Sequence, residues 1–230
     1  LMRQHANACR ITGEIIWLLK GGYADGALGR WRTLFEISVN CLVIRKHGRD
    51  AAVDYIKHGK IKAVEGMEEY QKTAEEMKLE PYADDELEAA IQLKKVLSGG
   101  ENDFQWARKY TGFKKIEKLR EHVGLGKWSH NYKLASKNVH ADFSEMRSLF
   151  AMSEAKQDGL LAGPSNSGLV EPAHMTAIPL SQITVAFLTA HIEESNDLDY
   201  STSIMYLYLI EKYVDAVGQE FLRCSSERGN

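Results

Sequence analysis

Three features of this sequence predict an all-α protein. Apolar residues recur at three- and four-residue spacing along most of the chain, the periodicity of helices that turn one face to a core. Glycines stand where those runs stop, at 21–22, 48, 99–100, 124 and 126, as residues that end helices do. No stretch of any length alternates apolar with polar residues as a half-buried strand would.

The elements follow in order. Met2 to Lys20 reads as the first helix, with Ile11, Ile15, Leu18 and Leu19 inward and Gly21-Gly22 ending it. Asp25 is the expected N-cap of the second, which runs to about His47 and buries Leu28, Trp31, Phe35, Val39 and Leu42. Arg32, Glu36 and Asn40 form a polar line at four-residue spacing on that apolar helix. Arg before Glu is the weaker order for a local pair, so two readings stand: a structural ion pair, or the polar wall of a site. Asp50 to about Met77 is a long amphipathic stretch through Val53, Ile56, Ile61, Val64, Met67 and Tyr70 that ends before Pro81. Asp84 or Asp85 caps the next helix, which runs through Leu87, Ile91, Leu93 and Val96 to Gly99-Gly100.

A short helical turn over Phe104 to Tyr110 precedes a basic helix, Phe113 to Val123, with Ile116, Leu119 and Val123 inward. Ser129 is the expected cap of the following helix, Trp128 to Phe143, held to a core by Trp128, Leu134, Ala135 and Val139. A brief helix over Met146 to Ser153 leads into a loop, 156–175, whose Gly159 to His174 is rich in Gly, Pro and Ser. With no anchoring motif, a flexible excursion is expected there rather than a lid. Two helices, Thr176 to Ser195 and Asp199 to about Cys224, occupy 176–226. The last has a broad apolar face (Ile204, Leu207, Tyr208, Ile210, Val214, Val217, Phe221), as a central or dimer-forming helix would.

At 230 residues, 44% hydrophobic and 27% charged, the chain fits one large domain over 1–230 with a sizeable core. A net charge of −3 gives no whole-molecule reason to bind nucleic acid or an acidic membrane. Cys9, Cys41 and Cys224 form no CxxC pair, which points to a reduced, cytoplasmic protein with buried thiols. The apolar run Ile15 to Leu19 is far shorter than the ~20 residues of a membrane span. No secretory signal is visible, and because the chain starts at Leu1 rather than Met, what lies upstream stays open.

Charge is unevenly placed. Glu65 to Asp103 holds twelve acids against four lysines, a net of −8. Phe104 to His140 holds nine bases against two acids, a net of +7, with His122, His130 and His140. Two readings are open: the halves face each other or water, or the basic part forms a phosphate-binding groove leading to His140. Within WSHNYKLASKNVHADF, Tyr132, Ser136 and His140 share a helical face with Lys133 alongside. No Gly-rich phosphate loop, HExxH, CxxC or GxSxG is present. The histidines do not recur at ligand spacing, so neither a metal nor a cofactor is expected. The bland account of Ser136 and His140 is a hydrogen-bonded pair that fixes helix packing.

Those residues carry a resemblance. WARKYTGFKKIEKLREHVGLGKWSHNYKLASKNVHADF resembles the C-terminal signature of a bacterial family of unknown function, a Trp and a basic Gly-containing segment before Tyr-x-x-x-Ser-x-x-x-His. ALGRWRTLFEISVNCLV resembles the same family's Arg-x-x-x-Glu followed by Asn. Together they span about 25–143. The family is similar to the HEPN-type helical superfamily, many of whose members are metal-independent ribonucleases of defence and toxin systems.

The resemblance implies an HEPN-like helical bundle with extra C-terminal helices, dimeric, with RNA as partner and paired sites between protomers. Those nucleases carry an Arg a few residues before the His. Here that segment holds none, and Lys133, with residues 134–139 between it and His140, is the nearest substitute for it, a point charge where the pattern has a planar fork. In the chemistry implied, His140 takes the proton of a ribose 2′-OH, and Lys133 or Arg32 stabilises charge on phosphorus. Tyr132 or Ser136 positions a phosphate oxygen, Glu36 orients Arg32, and Asn40 and Asn131 complete the binding set. The competing expectation is a non-catalytic interaction or sensor module whose polar signature is structural. A third is a toxin-like protein whose basic segment a partner protein masks.

Overall fold

Every regular element is helical in the computed structural model, which describes residues 1–140, 150–152, 159, 161–190 and 197–228, the side chains at 138, 140, 150, 197–199 and 225–228 excepted. The all-α prediction therefore holds for the described residues. The chain divides into two compact units, Leu1–Arg45 with Arg120–Asn230, and Lys46–Leu119. The helix expected over Met146 to Ser153 lies largely outside the described residues; a single 3-10 turn, Phe150–Met152, is what is described of it.

In the first unit, α1 (Met2–Lys20) buries Ala8, Ile11 and Ile15 and ends at Gly21. Helix α2 (Ala24–Thr73) starts a residue before Asp25, so Asp25 does not cap it. Its carboxylate instead accepts from the Ala151 N–H at 3.0 Å. Leu28, Trp31, Phe35 and Val39 are buried as their spacing predicts. At Gly48 the backbone leaves the helix, with φ 78° and ψ −157°, a conformation essentially open to glycine alone. The predicted break is there.

The loop before α7 (Val170–Leu188) corrects two expectations. Ser165 is anchored at both ends of its residue, its N–H donating to Gly22 O at 2.9 Å and its Oγ to Ala151 O at 2.7 Å. Gly22 (φ 80°) lies so close to Pro164 and Ser165 that a Cβ there would meet atoms at 2.9 Å. The described part is thus tied down by backbone contacts that no sequence motif announces. The helix also begins at Val170 rather than Thr176, because Pro172 sits in its first turn, where an N–H would lack a partner anyway. Pro179 lies inside the same helix and cannot donate to the carbonyl four residues back. That carbonyl, Met175 O, accepts from Trp31 Nε1 at 2.9 Å, so the buried indole fills the vacancy the proline leaves.

Helix α7 packs on α1 and on α8 (Asp197–Arg228). Of the face expected for the last helix, Leu207, Ile210, Val214, Val217 and Phe221 are half-buried, whereas Ile204 and Tyr208 are exposed. Of the three thiols, only Cys41 is buried; Cys9 is exposed.

The second unit holds the C-terminal part of α2, then α3 (Asp84–Ser98) and α4 (Arg108–Thr111). Helix α3 is not capped by an aspartate: its N-cap is Ala83, and Asp84, Asp85 and Glu86 fill the first turn, where they oppose the helix dipole. Its end at Gly99 is left-handed, φ 62°, as expected. Lys94 pairs with Glu68 at 2.6 Å, and Tyr70 Oη donates to Glu80 O at 2.8 Å. Between the acidic and basic stretches, Lys114 meets Asp103 at 2.9 Å.

Candidate functional site

Helix α5 (Ile116–His122), a 3-10 turn (Gly126–Trp128) and α6 (Ser129–His140) carry the basic segment. Ser129 is already helical, φ −57° and ψ −42°, so it is not an N-cap. Its hydroxyl accepts from Arg120 Nη2 at 3.2 Å instead. Helix α6 buries Tyr132 and Ala135, while Val139 is exposed, contrary to the expected core role. An ideal side-chain carbon on Gly29 would lie 3.7 Å from Val139 Cγ2, and Phe35 meets Tyr132 at 6.0 Å between centroids. The pairing of 29 with 139 and 35 with 132 means that the two helices run antiparallel.

Tyr132 is the centre of what this packing assembles. Its ring lies in an aromatic cluster with Trp31, Phe35 and Trp128. Its hydroxyl donates to Glu36 Oε1 at 2.6 Å and accepts from Arg32 Nη2 at 3.2 Å. Arg32 Nε donates to the same Glu36 oxygen at 3.1 Å. Two guanidiniums lie over the ring, Arg32 Cζ at 5.1 Å and Arg120 Cζ at 5.3 Å from its centroid, an arrangement the ring's negative face favours. Arg120 is only 4% exposed. Its Nε has no acceptor, and no carboxylate lies within ion-pair distance of it, among the described residues. Among the described residues, the site therefore holds two buried or half-buried cations against one carboxylate.

Electrostatics assign roles. Burial first, then the hydrogen bond to Glu36, pushes the Tyr132 phenol up to about 12, so at neutral pH it is protonated. Burial opposes the charge of Arg32, but its bonds to Tyr132 and Glu36 outweigh that and hold its pKa above the ordinary value. Ser136 Oγ donates to Tyr132 O at 2.7 Å, the local back-bond of a helical serine. Asn131 Nδ2 contacts Met175 Sδ at 3.4 Å. Lys133 is exposed and Asn40 half-buried.

Of the predicted site residues, the fold brings Arg32, Glu36 and Tyr132 together, with Ser136 a turn further along α6. It turns Asn131 away to Met175. The side chain of His140 lies outside the described residues, and so do both expectations built on it, the pairing with Ser136 and the approach of Arg32. Arg120 was missed. The signal for it was faint: it sits beside the inward Leu119 on a helix otherwise lined with lysines.

The second unit has its own cluster. Tyr110 Oη donates to Asp54 Oδ2 at 2.6 Å, and Lys57 Nζ meets the other oxygen at 2.8 Å. Asp54 lines an open cleft of about 600 Å3 with Glu101, Asp103, Phe104, Arg108 and Lys109. Among the described residues, no group of three or more His, Cys, Asp or Glu is placed to hold a metal ion, and no helix is long and apolar enough to cross a membrane.

The chain belongs to the family of unknown function DUF5677, which matches residues 1–158. That match contains Arg32, Glu36, Arg120 and Tyr132 and leaves α7 and α8 outside. No curated protein and no solved structure matches the chain.

Proposed function

We propose that this protein is an HEPN-like RNA-binding protein of a defence or toxin system, and that it cleaves RNA without a metal ion. One observation carries the reading: among the described residues, two guanidiniums share the Tyr132 ring against the single carboxylate of Glu36. A surplus cation kept from water seeks an anion, and the segment around it is rich in lysine. RNA phosphate suits it, with Arg32 retaining donors beyond the two bonded to Glu36 and Tyr132. Lys133, exposed on α6, adds a contact to the phosphate backbone.

The chemistry assigned to His140 is general-base removal of the 2′-OH proton, followed by attack of that oxygen on the adjacent phosphorus and departure of the 5′-oxygen with a proton given by a second, protonated group. Arg32 and Lys133 stabilise the charge that develops on the phosphoryl oxygens. Tyr132 and Glu36 hold Arg32 in place. The test is incubation of purified protein with labelled single-stranded RNA, with and without EDTA, beside His140→Ala checked for folding by circular dichroism. EDTA-resistant cleavage that the folded variant loses is the expected result. Cleavage unchanged in the variant removes His140 as base; RNA binding without cleavage leaves a binding protein only.

A second reading, a non-catalytic interaction module, is favoured by the way Arg32, Glu36 and Tyr132 satisfy one another and Ser136 bonds its own helix. It predicts no RNA binding, or retention that ignores salt, whereas phosphate contacts weaken steeply with salt.

A further inference from the structure

The cleft of the second unit is formed by a loop that its own bonds hold in shape. Residues 101–107 join α3 to α4 and line about 600 Å3 of space beside Asp54. The Glu101 N–H donates back to Ser98 O at 3.2 Å, and the Arg108 N–H donates to Gln105 O at 3.0 Å. Asp103 is fixed through both oxygens, with Gln105 Nε2 at 2.8 Å on one and Lys114 Nζ at 2.9 Å on the other. Trp106, 6% exposed, meets Tyr55 edge-on at 4.9 Å between centroids. Half-buried Phe104 stands between these two anchors in the chain and lines the cleft. The volume lies within the ~300–1,000 Å3 of small-molecule sites.

The charges on the lining divide into committed and uncommitted. Asp54 is bonded by Tyr110 and Lys57, and Lys109 lies 3.9 Å from its Oδ2 and 5.2 Å from the Tyr110 ring centroid. Asp103 has its two bonds. Glu101 and Arg108 are exposed, and among the described residues neither side chain makes a hydrogen bond or an ion pair. Arg108 reaches Asp103 only as a charge beyond bonding distance. One carboxylate and one guanidinium are thus left over at the two ends of an anchored loop, beside an aromatic ring.

The geometry points to a site for a compact zwitterion, an amino acid or short peptide with an apolar side chain, whose carboxylate meets Arg108 and whose ammonium meets Glu101. The guanidinium offers a planar fork to a carboxylate, and an apolar side chain covers the Phe104 ring. Uncommitted charges of opposite sign select against ligands of a single sign, which bring a like charge against one of them. A nucleotide is disfavoured further by the net −8 of Glu65 to Asp103 in the same unit. A polyamine is disfavoured by Arg108 and Lys109 together. This inference is independent of the RNA reading, for no residue around Tyr132 takes part in it.

The experiment is isothermal titration calorimetry of the full chain at neutral pH with L-phenylalanine and with the dipeptide Phe-Gly. Each is compared with its N-acetyl form, which lacks the ammonium, and its carboxamide, which lacks the carboxylate. Saturable binding is expected, weakened about tenfold by either block. Glu101→Gln is expected to weaken the free ligand and leave the N-acetyl form unchanged; Arg108→Gln does the same with the carboxamide. Both side chains are exposed, so both variants are expected to keep the wild-type circular dichroism. Tighter binding of phenylalanine assigns the site to a free amino acid, and tighter binding of Phe-Gly to a short peptide. No saturable binding of either at millimolar concentration overturns the proposal. So does binding that neither variant alters, or tighter binding of AMP or spermidine.

Discussion

The two units build the same small device and bury opposite charges with it. In the first, Tyr132 donates to Glu36, and the guanidiniums of Arg32 and Arg120 lie over its ring. In the second, Tyr110 donates to Asp54 over the same 2.6 Å, with Lys57 on the carboxylate. Around Tyr132 the charge most withdrawn from water is a cation, Arg120, at 4% exposure; around Tyr110 it is the anion, Asp54, at 8%. Asp54 is saturated by a phenol and an ammonium, whereas Arg120 bonds one hydroxyl and leaves Nε without an acceptor. A charge that is fully bonded inside the fold needs no further partner, and under the reading proposed above the one that is not is where RNA phosphate binds.

Predictions that strain this contrast run from large to small. Tyr132→Ala removes a buried ring that also organises two cations, and is expected to cost about 4 kcal/mol in urea unfolding. Tyr110→Ala, at a half-buried position, is expected to cost about half of that; equal losses would erase the difference between the clusters. Asp54→Asn is expected to cost about 2 kcal/mol at neutral pH. Burial opposes the charge of Asp54, but Lys57 and Tyr110 outweigh it and hold the carboxyl below its ordinary 3.8. A folded-state pKa below the unfolded one gives stability that is present above 3.8 and lost as pH falls through the lowered value. The gap between wild type and Asp54→Asn therefore closes in acid, and a gap that persists well below that pH contradicts the ion-pair account.

Smaller effects concern RNA. Arg32→Gln is expected to weaken RNA binding about tenfold, or 1.4 kcal/mol, with little change on Arg45→Gln, whose Nε is held by Thr189 at 2.9 Å. Lys133→Ala is expected to lower the slope of log affinity against log salt by about one. A filter-binding titration at several salt concentrations reads both, and an unchanged slope in Lys133→Ala takes that lysine out of the interface.

What was legible in the sequence was local. The periodicity of Ile11 and Ile15, and of Leu28, Trp31, Phe35 and Val39, placed helices and their buried faces, because the spacing of side chains on a helix is set by the backbone alone. Gly48 and Gly99 marked breaks because their φ values admit little else. Even the Arg32–Glu36 line announced itself, as an ion pair in the less favourable order on an apolar face.

What only the tertiary structure decided is which partners meet. Ser129 and Asp25 have the chemistry of caps, yet Arg120 and the Ala151 N–H claim them. Pro172 and Pro179 look like reasons against a helix, yet one falls in a first turn and the other frees a carbonyl for Trp31, 144 residues away in sequence. Tyr132 shares its helical face with Ser136 by spacing alone, and only the fold makes it a buried phenol bridging Arg32 and Glu36. Propensity and periodicity are properties of a few neighbouring residues, and they set the elements. Hydrogen-bond satisfaction inside a core is settled among groups far apart in the chain, and it chose the partners of Tyr132.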